Sequence, residues 1–242
     1  MLPVMILAGG LATRLRPLTE TIPKALIEVA GKPFIFWQLD YLRSQGIKRV
    51  ILCTGYLSQM IEDVVGDGSL FDLDVSYSSD GDQLLGTGGA IKNALHLIND
   101  DNFFVLYGDS FLPVNFIDIE DHFLKNNALP LMTVMKNDNQ WDKSNAIFKS
   151  GKVINYDKNN INKNMKYIDY GLGILNKSVF TNFQGRENFD LAMIYNQLSL
   201  DNHLNGYEVF TRFYEIGSQE GIKQTEIFLN EKLNELFKKT PD

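Results

Sequence analysis

The chain has 242 residues, 44% of them hydrophobic and 22% charged, a balance that supports a sizeable core and an ordinary globular fold. Its formal net charge of −7 disfavours a nucleic-acid polymer as partner but leaves room for a small anion in a locally basic pocket. A single cysteine excludes an internal disulfide, and three histidines without metal-ligand spacing argue against a zinc site.

Residues 2–8 read as a strand. This apolar run is too short to span a membrane and lacks the basic lead of a signal peptide, so the expectation is a cytoplasmic protein with no membrane partner. Residues 33–44 predict a helix offering Phe34, Trp37, Leu39 and Leu42 to the core, with Gly46 as its stop. A second strand follows over residues 50–54, where Cys53 reads as a small buried hydrophobe, then a helix over 58–65 and a third strand at "DVSYS". Residues 87–98 read as a helix, "NFFVLYGDS" as a fourth strand ending at Gly108-Asp109, and "LPLMTVMK" as a fifth. This order predicts an α/β protein with a doubly wound, mostly parallel sheet, whose ligands bind beyond the carboxyl ends of the strands.

After Lys136 the texture changes to short β-like pieces and Asn-rich turns. This stretch reads as a small β-rich insertion that packs on the sheet and supplies a second wall for a site. Helical patterning returns over residues 190–200 and 220–239, and the last helix either closes the core or forms a homodimer contact. No linker or repeat interrupts the chain, so residues 1–242 read as a single domain.

The stretch "LAGGLATRLRPLTETIPKAL" leaves the first strand through Gly9-Gly10 and gathers Thr13, Arg14, Arg16 and Lys24 in one loop. It is not a P-loop, since no G-x-x-x-x-G-K-[ST] occurs. It is not a dinucleotide fingerprint either, because Ala12 and Leu15 stand where glycines are needed; "GTGGAIK" fails the same test at Ile91. Glycines allow close backbone approach, the N–H groups of residues 9–13 can hold a phosphate, and the cations call for an anion.

The same stretch resembles the sugar-1-phosphate nucleotidylyltransferases, whose pattern is roughly G-G-x-G-T-R-L-x-P-L-T followed by P-K-P. Further stretches resemble that family in order along the chain: "LLGTGGAI", "LYGDS", "YDK" at residues 156–158, "YGLGIL" and "YEIGS". Ala12 replaces a usual glycine, Ala25 a common proline, and Glu215 stands where many members have aspartate. The resemblance implies a Rossmann-like nucleotidyltransferase fold, residues 1–136 mainly holding the nucleotide, 137–218 mainly the sugar, and 219–242 forming the C-terminal helix. It implies catalytic roles for Arg14, Lys24 and Asp109, and nucleotide contacts from Leu7, Ala8, Gly9, Gly10, Thr13, Gly86 and Thr87. On the sugar-phosphate side it implies Gly108, Asp157, Lys158 and Gly171, with Asp109 and Glu215 holding Mg²⁺.

The implied reaction brings a sugar 1-phosphate against the α-phosphate of a nucleoside triphosphate (NTP), so the catalyst neutralises and aligns two polyanions. Arg14 can fork two phosphate oxygens, and Asp109 with Glu215 supplies hard oxygen ligands. Asp80 and Asp82, before Gly86, are expected to face the base. A carboxylate accepts well from the N1–H and N2 amine of guanine and from the amine of cytosine, which favours GTP, then CTP. "LLGTGGAI" looks closest to the heptose 1-phosphate guanylyltransferase branch, so a heptose or mannose-like 1-phosphate is the expected sugar. A Mg²⁺-dependent glycosyltransferase would show D-x-D after an apolar strand, whereas Asp72-Leu73-Asp74 precedes one. A non-catalytic sugar-nucleotide sensor would lack Arg14, Lys24 or Asp109, and all three are present.

Overall fold

The first strand, β1 (Val4–Leu7), sends Val4 and Ile6 to one buried face and Met5 to the other. A strand buried on both sides needs apolar residues at consecutive positions, and this one has them. The computed structural model describes residues 1–236, with side chains through residue 232. After β1 come β2 (Glu28–Val29), β3 (Lys32–Pro33), α1 (Phe34–Ser44), β4 (Arg49–Thr54), α2 (Ser58–Val65), β5 (Asp74–Ser79), α3 (Gly86–Ala94), β6 (Asn102–Tyr107) and β7 (Ser110–Phe111). The second half carries α4 (Phe116–Lys125), β8 (Leu131–Lys136), β9 (Ala146–Lys149), β10 (Lys152–Tyr156), β11 (Tyr167–Asn176), α5 (Leu191–Leu200), β12 (Asn205–Val209), β13 (Tyr214–Glu215) and α6 (Gln219–Leu236).

Nine strands form one sheet in the order β5-β4-β1-β6-β11-β8-β12-β10-β9. The first four are mutually parallel, as the helix-alternating sequence predicts. The sheet as a whole is mixed, however, which corrects the expectation of a mostly parallel one: β11 runs antiparallel to both β6 and β8, and β10 antiparallel to β9 and β12. The reason lies in the connections. A parallel return needs a crossover, usually helical, and no helix separates β8 from β11, so the chain comes back antiparallel. The stretch expected as an insertion packed on the sheet instead extends it, with β9 and β10 at its far edge.

Two apolar clusters cover the two faces. Phe34, Leu39 and Leu42 of α1 with Phe116 and Ile119 of α4 lie against Ile6, Leu52 and Phe104. Ala90 and Ile91 of α3 with Leu191 and Ile194 of α5 lie against Met5, Ile51 and Val105. Cys53 belongs to the second cluster, and burial pushes its thiol up to about 12, in keeping with an inert core residue.

Helix α4 stands outside the elements predicted, although its signal was present. Asn115 accepts hydrogen bonds from the Ile117 and Asp118 N–H groups, and Phe116, Ile119 and Phe123 fall on one buried stripe. Helix α6 buries Leu229 and packs Ile222 and Phe228 on the first cluster, so this part of it closes the core; the expected helical residues 237–239 lie outside the described residues. Among the described residues no helix is long and apolar enough to cross a membrane.

Candidate active site

Strand order reverses between β1 and β6: the chain builds outward through β4 and β5, then returns to β1's other side. Ligands of open α/β sheets gather at such a point, beyond the strands' carboxyl ends. Here β1 ends at Ala8-Gly9-Gly10 and β6 at Gly108-Asp109, and between them opens a cavity of about 330 Å³. Of the predicted residues, Leu7, Ala8, Gly9, Gly10, Lys24, Asp80, Gly86, Thr87, Gly108 and Asp109 line it. The backbones of the two strand ends nearly touch: a Cβ on Gly108 would sit 2.5 Å from the Leu7 carbonyl oxygen, so this corner admits only glycine.

A hollow of about 460 Å³ adjoins the cavity, sharing Ala12, Lys24, Leu84 and Asp109 with it and adding Thr13, Arg14 and Glu215. Ala12 takes the left-handed conformation (φ 47°) at the start of the 3₁₀ turn Thr13–Leu15, the geometry for which the related pattern has glycine. Its carbonyl is held by the Leu15 N–H and the Thr19 hydroxyl, which sets the direction in which Arg14 leaves the loop. Arg14 makes no hydrogen bond or ion pair among the described residues. Lys24 donates to Asp109 Oδ2 at 2.7 Å.

Glu215 reaches the site from β13, which pairs antiparallel with β7 so that Glu215 stands opposite Ser110, the neighbour of Asp109. Partial burial, then the charge of Asp109, raises the Glu215 pKa above the usual carboxylate range, and Lys24 and Arg14 oppose that rise. Two carboxylates that repel each other across a hollow already holding two cations fit a divalent ion completed by substrate phosphates. Among the described residues no group of three or more His, Cys, Asp or Glu is placed to hold a metal, so such an ion would rely on this pair and on its substrates.

Asp80 follows β5 and is half-buried. Its Oδ2 accepts the Leu85 N–H, while Oδ1 is buried without a partner, and burial raises its pKa. Asp82 is exposed and lines neither hollow, so the structure separates the two acids that the sequence paired. Thr87 lines the cavity, but its hydroxyl donates to Asp190 and accepts from the Leu191 N–H, tying α3 to the start of α5. The glycines that follow serve the same packing: a Cβ on Gly89 would lie 2.1 Å from the Glu187 carbonyl oxygen.

The predicted sugar-side residues divide. Asp157 and Lys158 line a separate polar cavity of about 580 Å³ with Arg186, Asp190 and Asn196. Asp157 accepts from the N–H groups of Asn159 and Asn160, which lower its pKa, so its carboxylate caps its own turn. Lys158 lies 3.9 Å from Asp190 and 5.6 Å from the Tyr107 ring centroid, between the two cavities. Gly171 is buried at φ 103° beside Tyr107 and Leu112 and lines neither of these cavities.

Sequence reasoning missed Asp169, two residues earlier on β11. Burial raises its pKa against the nearby Lys158 charge, and it accepts from the Gly171 N–H and the Tyr156 hydroxyl. An acidic residue inside the apolar strand "YIDYGLGIL" was the available signal. Trp141, read as either a ligand stack or a loop anchor, has its ring centroid 3.8 Å from the Arg212 guanidinium carbon, and its backbone N–H donates to Asn137 Oδ1.

A mixed α/β sheet with a glycine-lined, cationic crevice at its switch point and two carboxylates at the rim defines a class of phosphate-handling enzyme. The chain belongs to the nucleotidyl transferase family, whose sequence pattern matches residues 3–186. It is 33% identical over 187 residues to D-glycero-alpha-D-manno-heptose 1-phosphate guanylyltransferase of Campylobacter jejuni, covering 76% of this chain and 80% of that one. It is 41% identical over 112 residues to N-acetylmuramate alpha-1-phosphate uridylyltransferase of Neisseria meningitidis; that match spans 46% of this chain and about half, 48%, of the relative. Among solved structures, HddC from Yersinia pseudotuberculosis complexed with GMP-PN superposes with a TM-score of 0.78 at 26% identity, covering 95% of this chain and 100% of that one.

Proposed function

We propose that this chain transfers a guanylyl group from GTP to a heptose or mannose-like 1-phosphate, releasing pyrophosphate. A phosphate oxygen of the sugar 1-phosphate attacks the α-phosphorus; the bond to the β-phosphate's bridging oxygen breaks, and pyrophosphate departs. The attacking oxygen is already ionised, so no general base is required. What the protein must supply is charge neutralisation and alignment.

The observation that carries this reading is the convergence of Arg14, Lys24, Asp109 and Glu215 on one hollow continuous with the glycine-lined cavity. Arg14 and Lys24 would hold the triphosphate, and the backbone of residues 9–13 would cradle it. Asp109 and Glu215 would hold Mg²⁺, which supplies Lewis-acid neutralisation of the phosphate oxygens. Asp80 supports guanine: its unpartnered Oδ1 needs a donor, and guanine offers two adjacent donors, whereas the N3–H of uracil is flanked by acceptor oxygens. Lys158, which lines the second cavity and lies over Tyr107, would meet the sugar.

The identity to the Neisseria uridylyltransferase favours a second reading, transfer from UTP. One screen separates them. Protein and Mg²⁺ are mixed with each NTP and a panel of sugar 1-phosphates, and pyrophosphate is assayed. Release with GTP and a manno-configured 1-phosphate supports the proposal; release with UTP alone moves the assignment, and nucleotide binding without turnover overturns transfer altogether.

A further inference from the structure

Gln38 is only 2% exposed and sits on α1 among Phe34, Ile35, Trp37, Leu39 and Leu42. Its Nε2 donates to two main-chain carbonyls, Tyr107 at 3.1 Å and Ser110 at 2.8 Å. These carbonyls bracket Gly108-Asp109, so one buried amide spans the turn that presents the acid. Reversing the amide would set Oε1 against two carbonyl oxygens, so the hydrogen-bond pattern itself assigns the nitrogen.

The two donors satisfy the Tyr107 and Ser110 carbonyls, which a Met or Leu would leave without this partner. Oε1 is buried with no partner, an arrangement that costs desolvation and that a Met or Leu of similar volume would avoid. What the amide holds, with one oxygen left unpaired, is the rear of the proposed cation site. The rest of the turn is tied as well: the Gly108 N–H donates to the Leu7 carbonyl at 3.0 Å, and the Ile216 N–H to the Asp109 carbonyl at 2.9 Å. Ser110, whose carbonyl Gln38 holds, is the residue opposite Glu215 in the β7–β13 pair. Moving that carbonyl shifts both carboxylates at once.

We infer that Gln38 is a positioning residue for the cation pair: bonded from behind to the carbonyls of Tyr107 and Ser110, it sets the spacing at which Asp109 and Glu215 share a divalent ion. It touches neither substrate nor ion. The inference rests on the proposed nucleotidyl transfer for its functional meaning, but its geometric content can be measured without turnover.

Two variants test it, Gln38→Met, which keeps length and removes both donors, and Gln38→Glu, which keeps shape and retains one donor when protonated. Folding is checked by circular dichroism and thermal melting. Manganese binding is then followed by electron paramagnetic resonance in the presence of a non-hydrolysable GTP analogue, and Mg²⁺ activation at saturating substrates is measured alongside. In folded Gln38→Met, Mn²⁺ affinity and kcat each fall about 10–100-fold and half-activation moves to higher Mg²⁺, the scale seen when the partners behind a metal ligand are removed. The KM values for both substrates stay close to those of the unsubstituted protein, and Gln38→Glu falls between the two.

A folded Gln38→Met with unchanged Mn²⁺ affinity and Mg²⁺ requirement overturns the inference, whatever its kcat. If Gln38→Met does not fold, Gln38→Glu decides by the same two readouts. A protein that binds Mn²⁺ more tightly than Gln38→Met yet releases no pyrophosphate from any substrate pair would sink the proposed function and leave the positioning role standing.

Discussion

At the β1–β6 crevice some polar groups stand without internal partners, although Lys24 and Asp109 pair with each other; on the β9–β11 side Asp157, Lys158 and Asp169 all have protein partners. Asp80 Oδ1 is buried and unpartnered, and Arg14 makes no hydrogen bond or ion pair among the described residues. Across Tyr107, Asp157 caps its own turn, Lys158 approaches Asp190, and Asp169 accepts from Gly171 and Tyr156. The difference is physical. A buried group left unsatisfied, such as Asp80 Oδ1, gains a full hydrogen bond when a donor arrives. The exposed Arg14 instead exchanges water for a ligand's charge, and a group with a protein partner exchanges one bond for another. On the proposed function, the first side would take the charged nucleotide, and the second would trade contacts to admit the sugar.

Substitutions can break or sharpen this contrast. The largest effect is expected at Asp109→Asn, which removes a proposed metal ligand and frees Lys24: kcat/KM should fall by about 10³ or more, with Arg14→Ala following at about 10²–10³, both read from pyrophosphate release. Near-native rates in a folded Arg14→Ala would remove that residue from the mechanism. Next, Asp80→Asn should weaken GTP by about 10–100-fold and flatten the preference among bases, because it replaces the acceptor-only group proposed to meet the guanine donors. Lys158→Ala should raise KM for the sugar 1-phosphate by about tenfold while leaving that for the nucleotide alone, since its present contact to Asp190 discounts what it can give. An equal loss on both substrates would erase the division between the two sides.

The pH dependence follows from Glu215. With its pKa raised, it protonates at higher pH than an ordinary carboxylate as the solution is acidified, so activity at limiting Mg²⁺ should fall early on the acid side, and added Mg²⁺ should move that limb to lower pH. Stability of the metal-free protein runs the other way. The folded state binds more protons through this window, so stability drops as pH rises through it. Glu215→Gln should therefore melt above the unsubstituted protein at pH 7, with the gap narrowing toward acid pH. The smallest effect is expected at Ala12→Gly, where relief of a left-handed alanine is set against greater freedom in the unfolded chain; a gain within about 1 kcal/mol, or about 2–4 °C in Tm, is the expected outcome.

Much of the crevice was legible because its chemistry is local. Gly9, Gly10, Thr13, Arg14 and Lys24 lie within one loop, and Gly108-Asp109 follows an apolar strand directly. That Asp80 lines the cavity while Asp82 is exposed was not legible, because alternation along a turn does not say which acid faces inward. Thr87 lines the cavity, and its bond to Asp190, 103 residues away, was not legible in the sequence. Gln38 and Asp169 each look like a polar interruption of an apolar element, and their partners come from other strands and helices.

By itself the amino-acid order determined the parallel half of the sheet, both of whose faces need apolar residues, and the cationic glycine loop at its carboxyl edge. Only the tertiary structure decided that β11 returns antiparallel between β6 and β8, that Glu215 stands beside Asp109, and that Asp157, Lys158 and Asp169 are already bonded. The division has one cause: strand patterning and loop chemistry act over a few residues, whereas pairing direction, carboxylate repulsion and hydrogen-bond satisfaction depend on groups that meet only once the chain has closed on itself.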